Sequence, residues 1–460
     1  MNKKFLTYCV GLVVFLLSAN PLNAQNFPRE NWETFESPED AGYDSEKLAE
    51  AKVWYDSIGS ASLMLIEDGK AVIAWGDYER EMIIHSVRKS FISALYGIYT
   101  DNGTIDKEST LGELGITSKY KLTEKEKSAR VLDLLTARSG VYIPSGAEAP
   151  SMKKSRPERG SKEPGEFWYY NNWDFNVLGT ILKNETGKNI FEALKEDIYD
   201  PIGAEDFDLS DGSFETEGGQ NTEHLPYVMK MSARDMARFG WLFANQGEWN
   251  GNQVISKSWV EESTAVFTEE LMDNYKGLGK YGYMWWIPNG FLSEFGAYQG
   301  AGAGGHYITV LPKTKQVLVH RVDTYINQNR VGHNNVMKLY EMVLSAKTGK
   351  SKRKPKTKKL PSVERSYESV QWEDLSQYEG TFEFPDFQAS FTISKKEDKL
   401  IFNWPFSGFD FEIVGTNEED LGVIKDMDMK VKWERNDAGE IEKMLFEYKR
   451  IGIFQGQKKG

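Results

Sequence analysis

Two residues near the start of the sequence, Ser86 and Lys89 in the stretch HSVRKSFISALYGIY, have the types and the spacing of a nucleophile and its base. Helical residues three apart share a face, so the lysine would project beside the serine. Apolar residues at helical spacing follow, including Phe91, Leu95 and Ile98, and they predict a buried helix. Burial favours the neutral amine, which can accept a proton from the serine hydroxyl. The pair therefore predicts an activated serine nucleophile.

The alternative is a helix-capping serine beside a lysine whose charged end reaches solvent. Ser-x-x-Lys is a weak signal, because the chain contains it four times. The other three copies lie in polar, loop-like or linker sequence: Ser118/Lys121, Ser151/Lys154 and Ser351/Lys354. Only the buried helix distinguishes Ser86 from them, so this motif alone leaves both interpretations open.

A third group must relay the proton to the leaving group, and Tyr170 is the candidate. Tyr170-Asn171-Asn172 follows a Pro-Gly turn and precedes an amphipathic helix that ends near Gly187. A nearby ammonium would lower the pKa of the tyrosine, so that it could act as general base and then as general acid. A tyrosine that only packs is the alternative, and the adjacent Tyr169 is predicted to have that role.

Five motifs occur in order along the chain: Ser-x-x-Lys opening a buried helix, RVLDLLTARSGV, Tyr-x-Asn before a helix, SARDMARFGWLFANQGEWNG and YGYMWW. Together they resemble the serine β-lactamase-like superfamily over roughly residues 40–345. The resemblance is closest to its esterase and 6-aminohexanoate-dimer-hydrolase-like branch, related to class C β-lactamases and D,D-peptidases. It implies that Ser86 forms the acyl-enzyme, that Lys89 and Tyr170 share the role of general base, and that Asn172 contacts the substrate.

The superfamily's third motif, Lys-Thr-Gly or His-x-Gly, has its counterpart in the glycine-rich stretch GAGAGGHYITV. By the resemblance, Gly300-Ala301-Gly302 replaces the triplet. The backbone N–H of Ala303 would complete an oxyanion hole with that of Ser86, so Gly302 and Ala303 are predicted to bind substrate. The literal triplet at 347–349 is rejected, because a basic linker follows it at once.

The glycine-rich stretch lacks the cation with which the superfamily often holds a substrate carboxylate. This absence argues against efficient recognition of β-lactams or D-Ala-D-Ala. His306 is either a substitute cation or, as we favour, an ordinary strand side chain. The G-x-G-x-x-G pattern here is not a dinucleotide site, because a strand and a proline follow it.

Other chemistries find little support in the sequence. There is no G-x-S-x-G elbow, and the five histidines have no metal-binding spacing. His85 is predicted to pack outside the site, because adjacent helical residues point in different directions. We therefore expect neither a metal nor a cofactor.

The elements that position these residues predict an α+β fold. SASLMLIEDGKAVIAWG reads as two strands joined by a turn at Asp68-Gly69, and SARDMARFGWLFANQG as a helix that begins with a cap at Ser232. The resemblance implies an antiparallel sheet flanked by helices, with a mostly helical subdomain and the site between them. We predict that residues 27–346 form this domain.

Two further segments follow it. Residues 347–368 are dense in lysine and arginine, with two prolines, and are predicted to be a solvated basic linker. Residues 369–460 contain short alternating strands and predict a small antiparallel β domain with one buried face. Nothing in this domain suggests chemistry.

The N-terminus predicts export. Lys3 and Lys4 precede an apolar run, and a small-residue cleavage site ends at Ala24, so residues 1–24 read as a signal peptide. An uncleaved anchor is the alternative, although the run is shorter than the roughly 20 residues of a membrane span. The single cysteine, Cys9, lies in this segment, so the mature chain would lack disulfides and cysteine chemistry.

These observations predict a periplasmic or secreted serine hydrolase that cleaves an ester or amide bond in a small molecule or peptide. A net charge of −13 argues against a nucleic-acid partner. No span is expected to remain after cleavage, and the sequence does not determine the oligomeric state. The alternatives are a D,D-peptidase or β-lactamase, and an inactive ligand-binding protein of the same fold.

Overall fold

The structure is a computed structural model of the chain. It describes residues 27–28, 30–215, 223–325, 329–352, 354–364, 370–404, 409–427, 429–448 and 452–459. The predicted signal peptide lies outside the described residues. None of the helices in the described ranges combines the length and the apolar composition that a membrane crossing requires.

Several helices of the described residues begin at a side-chain cap. The Ser232 hydroxyl accepts the Asp235 N–H at 3.1 Å before the helix Ala233–Ala244, and the helix Asn172–Thr186 ends at Gly187 with φ 76°. Both ends were predicted. The helices are α1 Ser45–Ser57, α2 Arg88–Asp101, α3 Glu124–Lys127, α4 Val131–Leu135, α5 Pro150–Ser155, α6 Asn172–Thr186, α7 Ile190–Leu194, α8 Asp200–Ile202, α9 Ala233–Ala244, α10 Lys257–Ser263 and α11 His333–Ser345.

The first fourteen strands belong to the same domain as these helices. They are β1 Glu33–Phe35, β2 Ser62–Glu67, β3 Lys70–Gly76, β4 Met82–Ile83, β5 Gly212–Phe214, β6 Tyr227–Met231, β7 Glu248–Trp249, β8 Asn252–Gln253, β9 Lys280–Tyr281, β10 Trp286–Ile287, β11 Tyr298–Gly302, β12 His306–Leu311, β13 Gln316–Arg321 and β14 Thr357–Lys359.

A nine-stranded sheet runs in the order β14-β1-β3-β2-β13-β12-β11-β10-β9. Its neighbours pair antiparallel, except β1 and β3, which are parallel. Every residue of β12 and β13 is buried, as a strand covered on both faces requires. Helix α9 packs on β2, β12 and β13, and α2 lies against β11. The predicted α+β class is confirmed.

The C-terminal strands form a closed antiparallel barrel, in which the first strand pairs with the last. Its interior is filled with aromatic rings, such as Phe391 stacked on Trp404 at 4.9 Å. The sequence predicted antiparallel strands here but not their closure. The strands are β15 Gly380–Phe384, β16 Ala389–Lys396, β17 Lys399–Trp404, β18 Phe409–Gly415, β19 Leu421–Ile424, β20 Met429–Arg435, β21 Ile441–Tyr448 and β22 Gly452–Lys458.

The barrel packs against the strands that lead to Ser86. Tyr325 of the first domain meets Phe411 edge-on, with ring centroids 5.2 Å apart. Lys230 on β6 pairs with Asp426 of the barrel at 3.4 Å. Ile83 on β4 packs against the barrel's apolar core.

Part of the predicted basic linker is ordered as a strand. Residues Thr357–Lys359 pair antiparallel with β1 and form one of the two edge strands of the large sheet. Backbone hydrogen bonding needs no apolar side chains, so the composition of this segment does not reveal the strand.

Candidate active site

Ser86 lies in a short 3-10 turn, His85–Val87, between β4 and α2. The sequence predicted it at the start of the helix, and the regular helix begins two residues later, at Arg88. The turn is held by a backbone bond from Ile84 to Met229 on β6, at 3.0 Å. His85 has φ 49°, a left-handed conformation that L residues adopt at a cost. The nucleophile candidate is thus held on a strained, half-buried turn.

Lys89 lies beneath this turn and contacts Ser86. Its Nζ is 3.0 Å from Ser86 Oγ, and the residue is only 2% exposed. Burial lowers the pKa of Lys89 well below its ordinary value, and the charge of Arg88 lowers it further. Both effects act in favour of the neutral amine, the form that a general base would need.

Tyr170 joins the pair from the segment before α6. Lys89 Nζ lies 4.9 Å from the centre of the Tyr170 ring. Burial raises the pKa of Tyr170, and hydrogen bonding with Ser86 only partly offsets the rise. The expectation that a neighbouring ammonium lowers this pKa is therefore wrong, because burial of the phenol outweighs the hydrogen bond with Ser86 and the charge of Arg88, which lower it. Tyr170 keeps its proton, as a proton donor must.

Asn172 is the first residue of α6 and lines the same cavity as Ser86 and Tyr170. Its amide nitrogen donates to the carbonyl of Ala147 at 2.6 Å. Its side-chain oxygen is buried and has no hydrogen-bond partner among the described residues. Its neighbour Asn171 instead caps the helix by accepting the Trp173 N–H. Of the two asparagines, Asn172 is the one with an acceptor left for a ligand.

The glycine-rich strand β11 passes close to the turn that carries Ser86. A Cβ on Gly302 would lie 2.6 Å from the carbonyl oxygen of Ile84, so only glycine permits this approach. Gly302 pairs with His306 across β11 and β12, and Ala303 begins the tight connection between them.

One cavity of about 610 Å³ brings the predicted residues together. Its lining includes five of the six, and Lys89 lies behind the wall in contact with Ser86. The five are Ser86, Tyr170, Asn172, Gly302 and Ala303. Lys347, from the rejected Lys-Thr-Gly triplet, instead pairs with Glu67 on β2.

The two histidines near the site form hydrogen bonds with residues other than Ser86. His306 is fully buried, and its Nδ1 accepts from Arg321 at 3.0 Å, so it is the strand side chain we favoured. His85 lines the cavity, contrary to the prediction that it packs outside the site. Its Nε2 shares a hydrogen bond with Thr324 Oγ1 at 2.7 Å, and burial followed by the charge of Arg88 lowers its pKa to about 3.

Residues 46–349 match the Beta-lactamase family. The chain belongs to this family. The match spans the sheet from β2 to β13 with the helices around it, and it ends before the barrel.

Known relatives of this beta-lactamase family protein are hydrolases by name. The 6-aminohexanoate-dimer hydrolase of Paenarthrobacter ureafaciens is 24% identical over 262 residues, which are 52% of this chain and 64% of the relative. An Escherichia coli K12 protein assigned as a D-alanyl-D-alanine carboxypeptidase is 25% identical over 213 residues, 37% of this chain and 49% of the relative. The chain thus spans between about half and two thirds of the length of these relatives.

A solved structure shows the same fold. A Bacteroides dorei protein assigned as a β-lactamase aligns with a TM-score of 0.50 and 14% identity, over 66% of this chain and 98% of that one. The two proteins therefore share a fold although few of their aligned residues are identical.

Several cavity residues of this beta-lactamase family protein escaped the sequence reasoning. Arg330, an exposed residue just before α11, supplies a cation that the glycine-rich triplet lacks. Tyr275 and Trp286 form an aromatic wall beside Tyr170, with ring centroids 5.2 Å and 5.6 Å from it. Trp286 belongs to the YGYMWW motif, so the sequence could have indicated this wall. No motif of the sequence includes Arg330.

Proposed function

We propose that the protein is an exported serine hydrolase that cleaves an ester or amide bond through an acyl-enzyme on Ser86. The observation that carries the proposal is the 3.0 Å contact between Ser86 Oγ and the buried Lys89 Nζ at the cavity. Membership of a family whose matched relatives are hydrolases supports the reaction class. The signal-peptide pattern of residues 1–24 supports export.

In the first half-reaction, Ser86 gives its proton to the neutral amine of Lys89, and Oγ attacks the carbonyl carbon. The backbone N–H groups of Ser86 and Ala303 hold the oxyanion. When the intermediate collapses, the bond to the leaving group breaks and Tyr170 donates its proton to that group. The Lys89 ammonium then returns a proton to Tyr170, so both side chains end neutral.

In the second half-reaction, water attacks the acyl-enzyme. The Lys89–Tyr170 pair accepts one water proton, and the carbon–oxygen bond to Ser86 breaks with return of a proton to Oγ. The raised pKa of Tyr170 fits its part as donor, and the lowered pKa of Lys89 fits its part as acceptor. No step needs a metal or a cofactor.

A D,D-peptidase or β-lactamase activity is the second candidate, and Arg330 is the observation in its favour. Substrates of those enzymes carry a carboxylate, which a guanidinium in the cavity can bind. Against it stands the glycine-rich strand without a cation, so we expect esters to be turned over faster than β-lactams. An inactive ligand-binding protein of the same fold is the third candidate.

Labelling with a fluorophosphonate probe, read by intact mass, tests the proposal. We expect one adduct on the wild type and none on Ser86→Ala. Ser118→Ala is the matched control, because it alters another Ser-x-x-Lys serine that lies outside the cavity, and it should label normally. A folded wild type that stays unlabelled would favour the binding protein.

Substrate ranking separates the two enzymes. Rates on p-nitrophenyl esters should exceed those on nitrocefin. The reverse order would make the β-lactamase or D,D-peptidase the better assignment.

A further inference from the structure

Arg88 lies between Ser86 and Lys89 in the sequence and is buried beneath the same turn. It is 7% exposed, and it is the first residue of α2. Its Nη1 donates to the carbonyl oxygen of His85 at 3.0 Å. Its guanidinium carbon lies 5.0 Å from the centre of the Tyr227 ring. The side chain is thus held from two sides, by the turn and by β6.

The hydrogen bond to His85 acts on the strained residue of the site. His85 has a left-handed backbone that its side chain disfavours, and it directly precedes the nucleophile candidate. The donor from Arg88 fixes the direction of its carbonyl, and Thr324 holds its ring. Together these contacts oppose relaxation of the turn and keep Ser86 Oγ in reach of Lys89.

Among the residues that the structure describes, no carboxylate forms an ion pair with Arg88. Its Nε is buried without a hydrogen-bond partner among these residues. A buried positive charge next to Lys89 disfavours a second one on the lysine, and burial of Lys89 acts in the same direction.

We propose that Arg88 is a positioning residue for the Ser86–Lys89 pair, which holds the His85 turn and keeps a like charge beside the lysine. This assignment rests on the hydrolase function proposed above. The arginine then has two tasks, holding the turn and keeping the charge. The charge can be tested by substitution, because a lysine at this position would preserve it and a glutamine would not.

Other ionisable groups also surround the pair. Tyr170 faces it from the segment before α6, Tyr275 from the loop before β9, Tyr227 from β6 and His85 from the turn itself. Arg330 acts on His85 across the cavity. The tyrosines have pKa values raised by burial and His85 has one lowered to about 3, so Lys89 is the group expected to set the acid limb of activity.

The pH profile of kcat/KM tests the assignment in the full chain, using a p-nitrophenyl ester. Arg88→Gln removes the charge, so the acid limb should move to higher pH, and activity at a fixed pH on that limb should fall about tenfold for every pH unit that the limb moves. Arg88→Lys should keep the limb of the wild type. Arg234→Gln is the control, because this arginine pairs with Asp206 away from the cavity, and it should leave the limb unchanged.

The outcomes separate the two proposals. If Arg88→Gln labels at Ser86 but keeps the wild-type profile, the positioning role is wrong and the hydrolase stands. If Arg88→Gln fails to fold, Arg88→Lys decides alone, since a moved acid limb with the charge retained would overturn the assignment. A wild type that neither labels nor turns over ester refutes the proposed function and this role with it.

Discussion

Gly302→Ala perturbs the candidate oxyanion hole through a defined clash. The added Cβ would lie 2.6 Å from the Ile84 carbonyl oxygen and 3.1 Å from Val87 Cγ2. Ordinary contact begins at 3.4 Å, so the end of β11 and the turn must separate by about 0.8 Å, the difference between 3.4 and 2.6. Backbone atoms form one side of the clash, and a rotamer change cannot relieve it.

The separation moves the Ala303 N–H away from Ser86. Loss of one oxyanion donor costs about 10²- to 10³-fold in kcat, and a misplacement near 1 Å about 10²-fold. We therefore expect Gly302→Ala to lower kcat on a p-nitrophenyl ester by about 10²-fold. KM should change much less, because the wall formed by Tyr275 and Trp286 is untouched.

Gly349→Ala is the matched control, because a Cβ there meets no atom within 4 Å. It should keep the wild-type kcat. Thermal melting of both variants shows whether they remain folded. A folded Gly302→Ala enzyme with kcat within about twofold of the wild type would refute the role of Ala303 as an oxyanion donor.

Two further substitutions test the proton chemistry and the charges beside the barrel. Lys89→Ala should lower kcat by about 10³-fold or more without loss of the circular dichroism spectrum, and surviving activity would contradict the proton-transfer scheme. Burial, followed by the hydrogen bond with Asp211, raises the pKa of Glu81 well above its ordinary value. The stability that protonated Glu81 contributes is fully present below the unfolded pKa of 4.5 and is lost as pH rises through its raised folded pKa. Glu81→Gln should therefore flatten the fall in denaturation midpoint over that window, and an unchanged slope would assign the fall to other groups.

Local patterns predicted the elements that carry the site. The strands β2 and β3 meet at the Asp68-Gly69 turn, and the apolar period after Ser86 marks α2. Turn chemistry and helical periodicity are properties of neighbouring residues, so a single sequence displays them. The position of Tyr170 between a turn and an amphipathic helix made it a candidate partner of Ser86 and Lys89, and the family resemblance strengthened that prediction, because no local pattern joins segments so far apart.

Properties set by distant segments were not predictable. The pKa of Tyr170 rises because burial excludes water around it, and aromatic residues more than 100 positions away contribute to that burial. Arg330 lines the cavity, and the next residue, Val331, donates its N–H to the carbonyl of Gly304 at 3.0 Å, a contact between distant segments. Closure of the barrel depends on the pairing of β15 with β22, and the sequence pattern of neither strand identifies the other as its partner.

The edge strand β14 also bears on how copies of this chain meet in solution. A sheet ends in unpaired backbone groups, which can pair with another chain and start aggregation. Here the edge strand is Thr357–Lys359, and lysines surround it in the sequence. Two such edges repel each other before their backbones can pair. At this edge of the sheet, the charge of the basic segment therefore opposes strand-to-strand association between molecules.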